Sequence, residues 1–253
     1  MQQLLYAVVG PTGTGKTDLA MALAELADGE IVSCDSAQVF RSLDIGTAKP
    51  TAEECAQMPH HLIDVLEPTE QWSAADYARA ADDAIAALVG RAKTPILCGG
   101  AGLWYRALTR GIFEAPAIDP ALRTSVREEI ARRGAPAMHA ELARVDPRAA
   151  SRIEPNDPQR IGRALEIFRQ TGVPISTYQD AHGFREARYR MVPVGVRWPK
   201  DMLAERLAAR ARSMYARGIV DEVRACLARG VPSDAPGLST IGYRDVVSML
   251  EGT

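Results

Sequence analysis

Between Gly10 and Thr17 the chain reads GPTGTGKT, which fills every fixed position of G-x-x-x-x-G-K-[ST]. Successive backbone N–H groups in such a loop turn inward around an anion, and a following helix adds the positive end of its dipole. Lys16 supplies a point charge, and the Thr17 hydroxyl can sit on a magnesium ion. Most loops of this kind hold a nucleoside triphosphate, so on the loop alone an ATP-dependent kinase leads. Asp35, first of the run DSAQ, is the second chemical candidate. Its carboxylate could act as a base, cap a turn, or hold magnesium in the manner of a Walker B aspartate. Gly99-Gly100-Ala101-Gly102 is a third, because glycines let backbone approach a ligand closely. Arg160 and Arg163 lie three apart, with Gln159 beside them. That is either a solvated helix face or one that contacts the phosphates of a nucleic acid. His60 and His61 are adjacent and so point different ways, which argues against a shared metal. Cys34, Cys55, Cys98 and Cys226 show no C-x-x-C spacing, so neither zinc nor a disulfide framework is expected and the thiols fit a reducing cytosol.

These groups need a scaffold. Leu4 to Val9 (LLYAVV) has strand length and Asp18 to Ala27 reads as a helix, so the loop sits between strand and helix, the context that confirms it. Glu30 to Cys34 predicts a second buried strand, and Pro95 to Cys98 a third. Ligands of open α/β sheets bind beyond the carboxyl ends of strands, so Asp35 should face the same crevice as the loop. The third strand ends in Gly-Gly and not in an aspartate, so a Walker B residue is not obvious there. Ser73 to Asp76 fits a capping box opening a helix to about Val89. From about Gly111 to Tyr189 the pattern changes. Asp119-Pro120, Asp146-Pro147 and Asp157-Pro158 are helix-start signals. Helices are predicted at about 119–133, 136–144 and 157–171, without strands between them. Met191 to Val196 returns to strand character. Lys200 to Arg217 predicts a helix with Leu203, Leu207, Ala211 and Met214 on one side and Arg206 and Arg210 on another. Helices at Ile219 to Ala228 and after LSTIGYR close the chain.

The predicted fold is α/β: a P-loop NTPase-like core with a mostly parallel sheet, formed by residues 1–110 and 190–253, plus an all-helical insertion at 111–189. With 253 residues, 47% of them hydrophobic, the chain can bury a substantial core. Residues 1–100 carry 6 basic and 14 acidic side chains, whereas residues 151–229 carry 15 basic and 9 acidic. The basic later half suits a polyanionic partner, as it suits solvated helix faces. The first apolar stretch runs directly into the loop and reads as a core strand, not a signal peptide. No run approaches the length of a membrane span.

GPTGTGKT, DSAQVFR, DIGTAKP, HHLID, GGAGLWYRAL, NDPQRIGRALE and IGYR occur in an order and spacing that resembles the tRNA dimethylallyltransferases, from about Leu4 to Leu250. The loop alone is shared by many proteins; DSAQ, IGTAKP and DPQRIGRALE in that order are far more specific. The resemblance implies transfer of a dimethylallyl group from its diphosphate to N6 of adenosine 37 of tRNA. Gly10, Pro11, Thr12, Gly13, Thr14, Gly15, Lys16 and Thr17 would then bind the prenyl diphosphate, with Mg²⁺ shared through Thr17 and Lys200 adding a phosphate contact. Asp35 resembles the family's general base, and Lys16 would stabilise the leaving group. Asp35, Ser36, Ala37 and Gln38 match a tRNA-contact segment, and the Gln38 amide suits an adenine edge. Ala101, Arg123, Gln159, Arg160, Ile161, Gly162, Arg163 and the run Thr240, Ile241, Gly242, Tyr243, Arg244 and Asp245 carry over as further tRNA contacts. The insertion would grip the anticodon stem-loop, the target adenosine being flipped into a channel. The reduced thiols and the lack of a membrane-length run predict a cytoplasmic protein with no membrane association, and a monomer is the default.

The chain departs from the family pattern in four places. Ala101 stands where the family usually has Thr, which removes a hydroxyl close to the reacting groups. Lys200 replaces an Arg and loses a bidentate fork. Phe40 replaces a Tyr, a mild change. The sequence also ends before a basic, Trp-containing helix common in bacterial members. Three other readings compete: an adenylate prenyltransferase acting on a free nucleotide, a P-loop small-molecule kinase, and an RNA-binding module with a vestigial loop.

Overall fold

The computed structural model describes residues 3–113, 116–182 and 187–252. The chain divides into two compact units, Met1–Gly111 with Glu186–Thr253, and Ile112–Arg185.

The first unit is built on a five-stranded, all-parallel sheet. Its strands are β1 (Leu4–Val9), β2 (Gly29–Cys34), β3 (His60–His61), β4 (Thr94–Gly99) and β5 (Arg190–Gly195), in the spatial order β3-β2-β4-β1-β5. Every residue of β2 is buried, as expected of a strand covered on both faces, with no alternation of buried and exposed positions. Proline lacks a ladder donor, and the two strand prolines sit where that costs least. Pro193 is on the edge strand β5, and Pro95 lies one residue before β4 begins to pair with β1. Helices α1 (Lys16–Leu26), α2 (Ala52–Gln57), α3 (Ala74–Gly90) and α4 (Gly102–Arg110) fill the connections. The capping box at the start of α3 forms as expected, with Ser73 and Asp76 exchanging backbone hydrogen bonds. Tyr77 of α3 is fully buried, donates to the Ser33 carbonyl at 3.0 Å, and stacks on Trp104 of α4. Val8, Ala20, Ala24, Ile31 and Ile96 form the core between α1 and the sheet.

The topology dictates where a ligand can bind. β1 and β4 are neighbours, but β1 leads to β2 on one side of the pair and β4 leads to β5 on the other. The connections therefore leave in opposite directions and open a crevice beyond the carboxyl ends of these two strands. The phosphate loop follows β1 at that point, and the glycine cluster follows β4.

The second unit is helical: α5 (Pro120–Arg133), α6 (Ala135–Val145), α7 (Pro147–Ala150), α8 (Pro158–Thr171) and α9 (Ile175–His182). Asp119, Asp146 and Asp157 each cap a helix whose first residue is proline, accepting a backbone N–H on the side chain. Its core gathers Met138, Leu142, Ile161, Leu165 and Ile167. The first unit is completed by α10 (Lys200–Ala216), α11 (Ile219–Ala228) and α12 (Tyr243–Glu251). Among the described residues no helix is long and apolar enough to cross a membrane.

Candidate active site

The loop after β1 owes its shape to two glycines and three donors. Gly13 and Gly15 have φ of 79° and 85°, a region that costs a residue with a Cβ roughly 1 kcal/mol or more. The Thr14 hydroxyl donates to the Pro11 carbonyl at 2.8 Å, Trp198 Nε1 donates to the Thr14 carbonyl at 3.0 Å, and Arg206 Nε donates to the Gly13 carbonyl at 2.9 Å. Arg206 also lies over the Trp198 ring, 4.7 Å from its centroid. The segment from Trp198 to α10 therefore clamps the loop's carbonyls. Gly15 is the N-cap of α1 and, having no side chain, makes no cap, which leaves the first-turn N–H groups open to an anion.

Thr12, Gly13, Gly15, Lys16, Thr17, Asp18, Asp35, Gln38, Thr47, Ala48, Cys98, Gly99, Arg206, Ala209 and Arg210 line a single pocket of about 390 Å³. The Lys16 ammonium donates to the Pro11 carbonyl at 2.8 Å. Burial pulls it below the usual lysine range; Cys98 and Asp35 oppose that shift, and the Arg210 charge adds to it. Burial likewise lowers Arg210, with Asp35 opposing. Burial pushes the Cys98 thiol up to about 11, with Lys16 opposing, so it is a neutral thiol near neutral pH and not a nucleophile. Asp35 begins the segment beyond β2. Its Oδ1 accepts the Ala37 N–H at 2.9 Å, an Asx turn that fixes the carboxylate and leaves the other oxygen for a ligand. The Gln38 amide is pinned on both sides, with Nε2 donating to the Ala48 carbonyl at 3.2 Å and Oε1 accepting from the Ser33 hydroxyl at 3.1 Å. A carbonyl can only accept, so the nitrogen must face Ala48, and one N–H remains to offer.

Cations on one wall and a fixed carboxylate on the other suit binding of a polyanion next to a group that gives up a proton. Thr12, Gly13, Gly15, Lys16, Thr17, Asp35 and Gln38 meet here, as the motifs predict. Pro11 and Thr14 shape the loop from behind, and Gly10 makes room for the chain just after β5, since a Cβ there would lie 2.6 Å from the Val196 carbonyl oxygen. Ser36 is exposed, and Lys200 stands exposed at the first residue of α10, outside the pocket lining. Arg206 and Arg210 are pocket cations to which sequence reasoning gave no role. Their one-turn spacing was the available signal, but nothing local says that α10 docks on the loop.

Other expected contacts need correction. Ile161 is 0% exposed in the second unit's core, and Gly162 lies where a Cβ would come within 3.1 Å of Ile130 Cδ1. Both pack α8 and offer no side chain to a partner. Gln159 and Arg160 are exposed, whereas Arg123 and Arg163 flank the buried Glu166 carboxylate at 3.9 and 3.5 Å. Tyr243 is 0% exposed and the Thr240 hydroxyl is turned onto the Gly237 carbonyl, so neither side chain faces outward; Ile241, Arg244 and Asp245 do. The brevity of the IGYR stretch hid which face each residue takes.

A family model described as IPP transferase matches residues 38–253. The chain belongs to the IPP transferase family. It is 47% identical over 252 residues to tRNA dimethylallyltransferase 1 of Trichlorobacter lovleyi, covering 100% of this chain and 83% of that protein. It is 51% identical over 248 residues to the tRNA dimethylallyltransferase of Anaeromyxobacter dehalogenans, covering 98% and 81%. Among solved structures it is similar to the full-length tRNA isopentenylpyrophosphate transferase of Bacillus halodurans, with a TM-score of 0.69, 35% identity, and coverage of 100% of this chain and 78% of that one.

Ala101, where the family usually has Thr, is the N-cap of α4 and makes no side-chain cap. Its ψ of 84° equals that of Asp157, which does cap α8 with its side chain. Ala101→Thr is therefore expected to stabilise the protein by about 1 kcal/mol, read as a higher unfolding midpoint.

Proposed function

We propose that this chain transfers the dimethylallyl group of dimethylallyl diphosphate to N6 of adenosine 37 in tRNA, releasing pyrophosphate, and that it does so as a cytoplasmic monomer. The observation that carries the reading is the pocket that joins the phosphate loop, Lys16, Arg206 and Arg210 to the fixed carboxylate of Asp35. A kinase reading explains the loop and could use Asp35 as a magnesium ligand, but gives no reason for the Gln38 amide to be fixed in the same pocket. The free cysteines suit a reducing compartment.

In the reaction N6 attacks the allylic carbon, the carbon–oxygen bond to the diphosphate breaks, and the N6 proton must leave. The exocyclic amine is a weak nucleophile because its lone pair is delocalised into the ring. Asp35 takes the proton as the new bond forms. Charge grows on the departing diphosphate, where Lys16, Arg210 and the first-turn N–H groups of α1 are already in place. Arg206 keeps Nε on the Gly13 carbonyl and retains its terminal nitrogens for the same anion. Among the described residues no cluster of three or more His, Cys, Asp or Glu could cage a metal. The Thr17 hydroxyl at the pocket is a hard oxygen donor that fits Mg²⁺, an ion commonly held by few protein oxygens together with substrate phosphates and water. Thr17, with the donor's own oxygens, would hold it, and when bound it supplies further neutralisation of the leaving group. Gln38 offers its remaining N–H to the adenine edge, and exposed Arg160 supplies a phosphate contact.

The donor assignment is tested with Lys16→Ala. The expected result is a large rise in the KM for dimethylallyl diphosphate, with tRNA binding retained and no ATP turnover in either protein. ATP hydrolysis dependent on Lys16, without prenyl transfer, would return the pocket to the kinase reading.

A further inference from the structure

The loop running from Asp44 to Lys49 supplies Thr47 and Ala48 to the pocket and is fastened from far along the chain. Glu222, in the first turn of α11, accepts the backbone N–H groups of Asp44 at 2.8 Å and Ile45 at 3.0 Å on Oε1. Its Oε2 accepts the hydroxyl of Tyr243, the first residue of α12. The same hydroxyl accepts the Gly46 N–H at 2.9 Å. Three consecutive amides of one loop are thus held by one carboxylate and one phenol. The Tyr243 ring lies directly on the loop backbone, since a Cβ on Gly46 would come 2.6 Å from its Cε2. Burial and the Glu222 carboxylate hold the phenol well above its usual range, so it remains a donor. On the other side Lys49, its side chain 4% exposed, bonds the Asp44 and Asp64 carboxylates at 2.7 and 2.5 Å.

This fastening ends at a strained residue. Ala48 has φ of 47°, a left-handed conformation that a non-glycine residue keeps only where its surroundings impose it. The carbonyl of that residue is the group that holds Gln38 Nε2.

We infer that Glu222 and Tyr243 are positioning residues for recognition of the acceptor base: they hold the 44–49 loop so that the Ala48 carbonyl aims the Gln38 amide into the pocket. The inference rests on the proposed tRNA prenyl transfer and explains why the chain links IGTAKP to IGYR. It also gives the buried Tyr243 a role that acts through Gln38 and not through contact with RNA. The hydrogen bonds reach the acceptor side of the pocket; the phosphate loop is held separately, by Trp198 and Arg206.

The test is a double-mutant cycle on the full chain with labelled dimethylallyl diphosphate and tRNA. Product from the unaltered protein is measured first, so failure of the functional reading shows as no labelled tRNA at all. Tyr243→Phe keeps the buried ring and removes one hydroxyl, and is expected to lower kcat/KM for tRNA about tenfold while the donor KM stays within about twofold. Glu222→Gln keeps an acceptor for the loop amides and should lose less than Tyr243→Phe. Gln38→Ala should lose at least as much as Tyr243→Phe, and the double variant should be no worse than Gln38→Ala alone. Losses that multiply in the double variant, an equal rise in donor KM, or unchanged kinetics in Tyr243→Phe or Gln38→Ala would each overturn the inference.

Discussion

Asp35→Asn is expected to lower kcat for prenyl transfer by roughly 10²- to 10⁴-fold, the usual worth of a positioned proton acceptor. The substitution isolates basicity from geometry. Asp35 is held by the Ala37 N–H on Oδ1, and an asparagine carbonyl accepts the same bond. The turn beyond β2 therefore survives while the proposed acceptor of the N6 proton does not. Donor binding should not weaken. Asp35 acts electrostatically on Lys16 and Arg210, so neutralising it leaves both cations freer to engage the diphosphate. The measurement is single-turnover transfer under saturating tRNA, with the donor KM alongside. A loss confined to kcat with the donor KM unchanged or lower is the predicted pattern. Transfer at near the unaltered rate would remove Asp35 from the chemistry.

Gly99→Ala is expected to destabilise the fold by about 3 kcal/mol or more, beyond the range of an ordinary surface change. A Cβ at Gly99 would lie 2.0 Å from the Cys34 carbonyl oxygen, 2.3 Å from its carbon and 2.8 Å from its Cα. All three are backbone atoms, so no side-chain rotation relieves the overlap. Gly99 is also in register with Cys34, so the last step of the β2–β4 ladder must open. The same movement would displace Asp35 and break the bond from the Ala101 N–H to the Cys34 carbonyl. Denaturant unfolding measures the effect, with Gly102→Ala as the control. Gly102 is helical and has nothing within 4 Å of a built Cβ, so that variant should be neutral or slightly stabilised. Equal midpoints for the two variants would contradict the packing described here.

Much of this core was legible because its signals are local. β1, the loop and α1 follow from one apolar run and one motif, and the three Asp-Pro pairs each start a helix for a reason contained in two residues. The all-parallel sheet follows from strands separated by helices, although local sequence does not reveal the order that puts β4 between β1 and β2. α9 carries no Asp-Pro start and β3 is two residues long, so neither declares itself. The candidate site divides in the same way. Lys16, Thr17 and Asp35 lie in or beside a motif. Arg206 and Arg210 reach the pocket only because α10 docks on the phosphate loop, about 190 residues away in sequence for the bond from Arg206 to Gly13. Tyr243 misleads a reading by motif, because the phenol in IGYR faces inward to Glu222 and Gly46 while its neighbours Ile241 and Arg244 face outward.

The central claim is that this pocket joins a prenyl diphosphate to a tRNA adenosine. The most direct measurement offers the purified protein labelled dimethylallyl diphosphate and Mg²⁺ with three acceptors: unmodified tRNA, an anticodon stem-loop whose target adenosine is replaced, and free AMP. The nucleosides of each are then separated and weighed. The predicted result is label on a single adenosine of the intact tRNA, heavier by one dimethylallyl group, and none on the other two. Label on AMP, or on the stem-loop that lacks the target adenosine, would contradict the account.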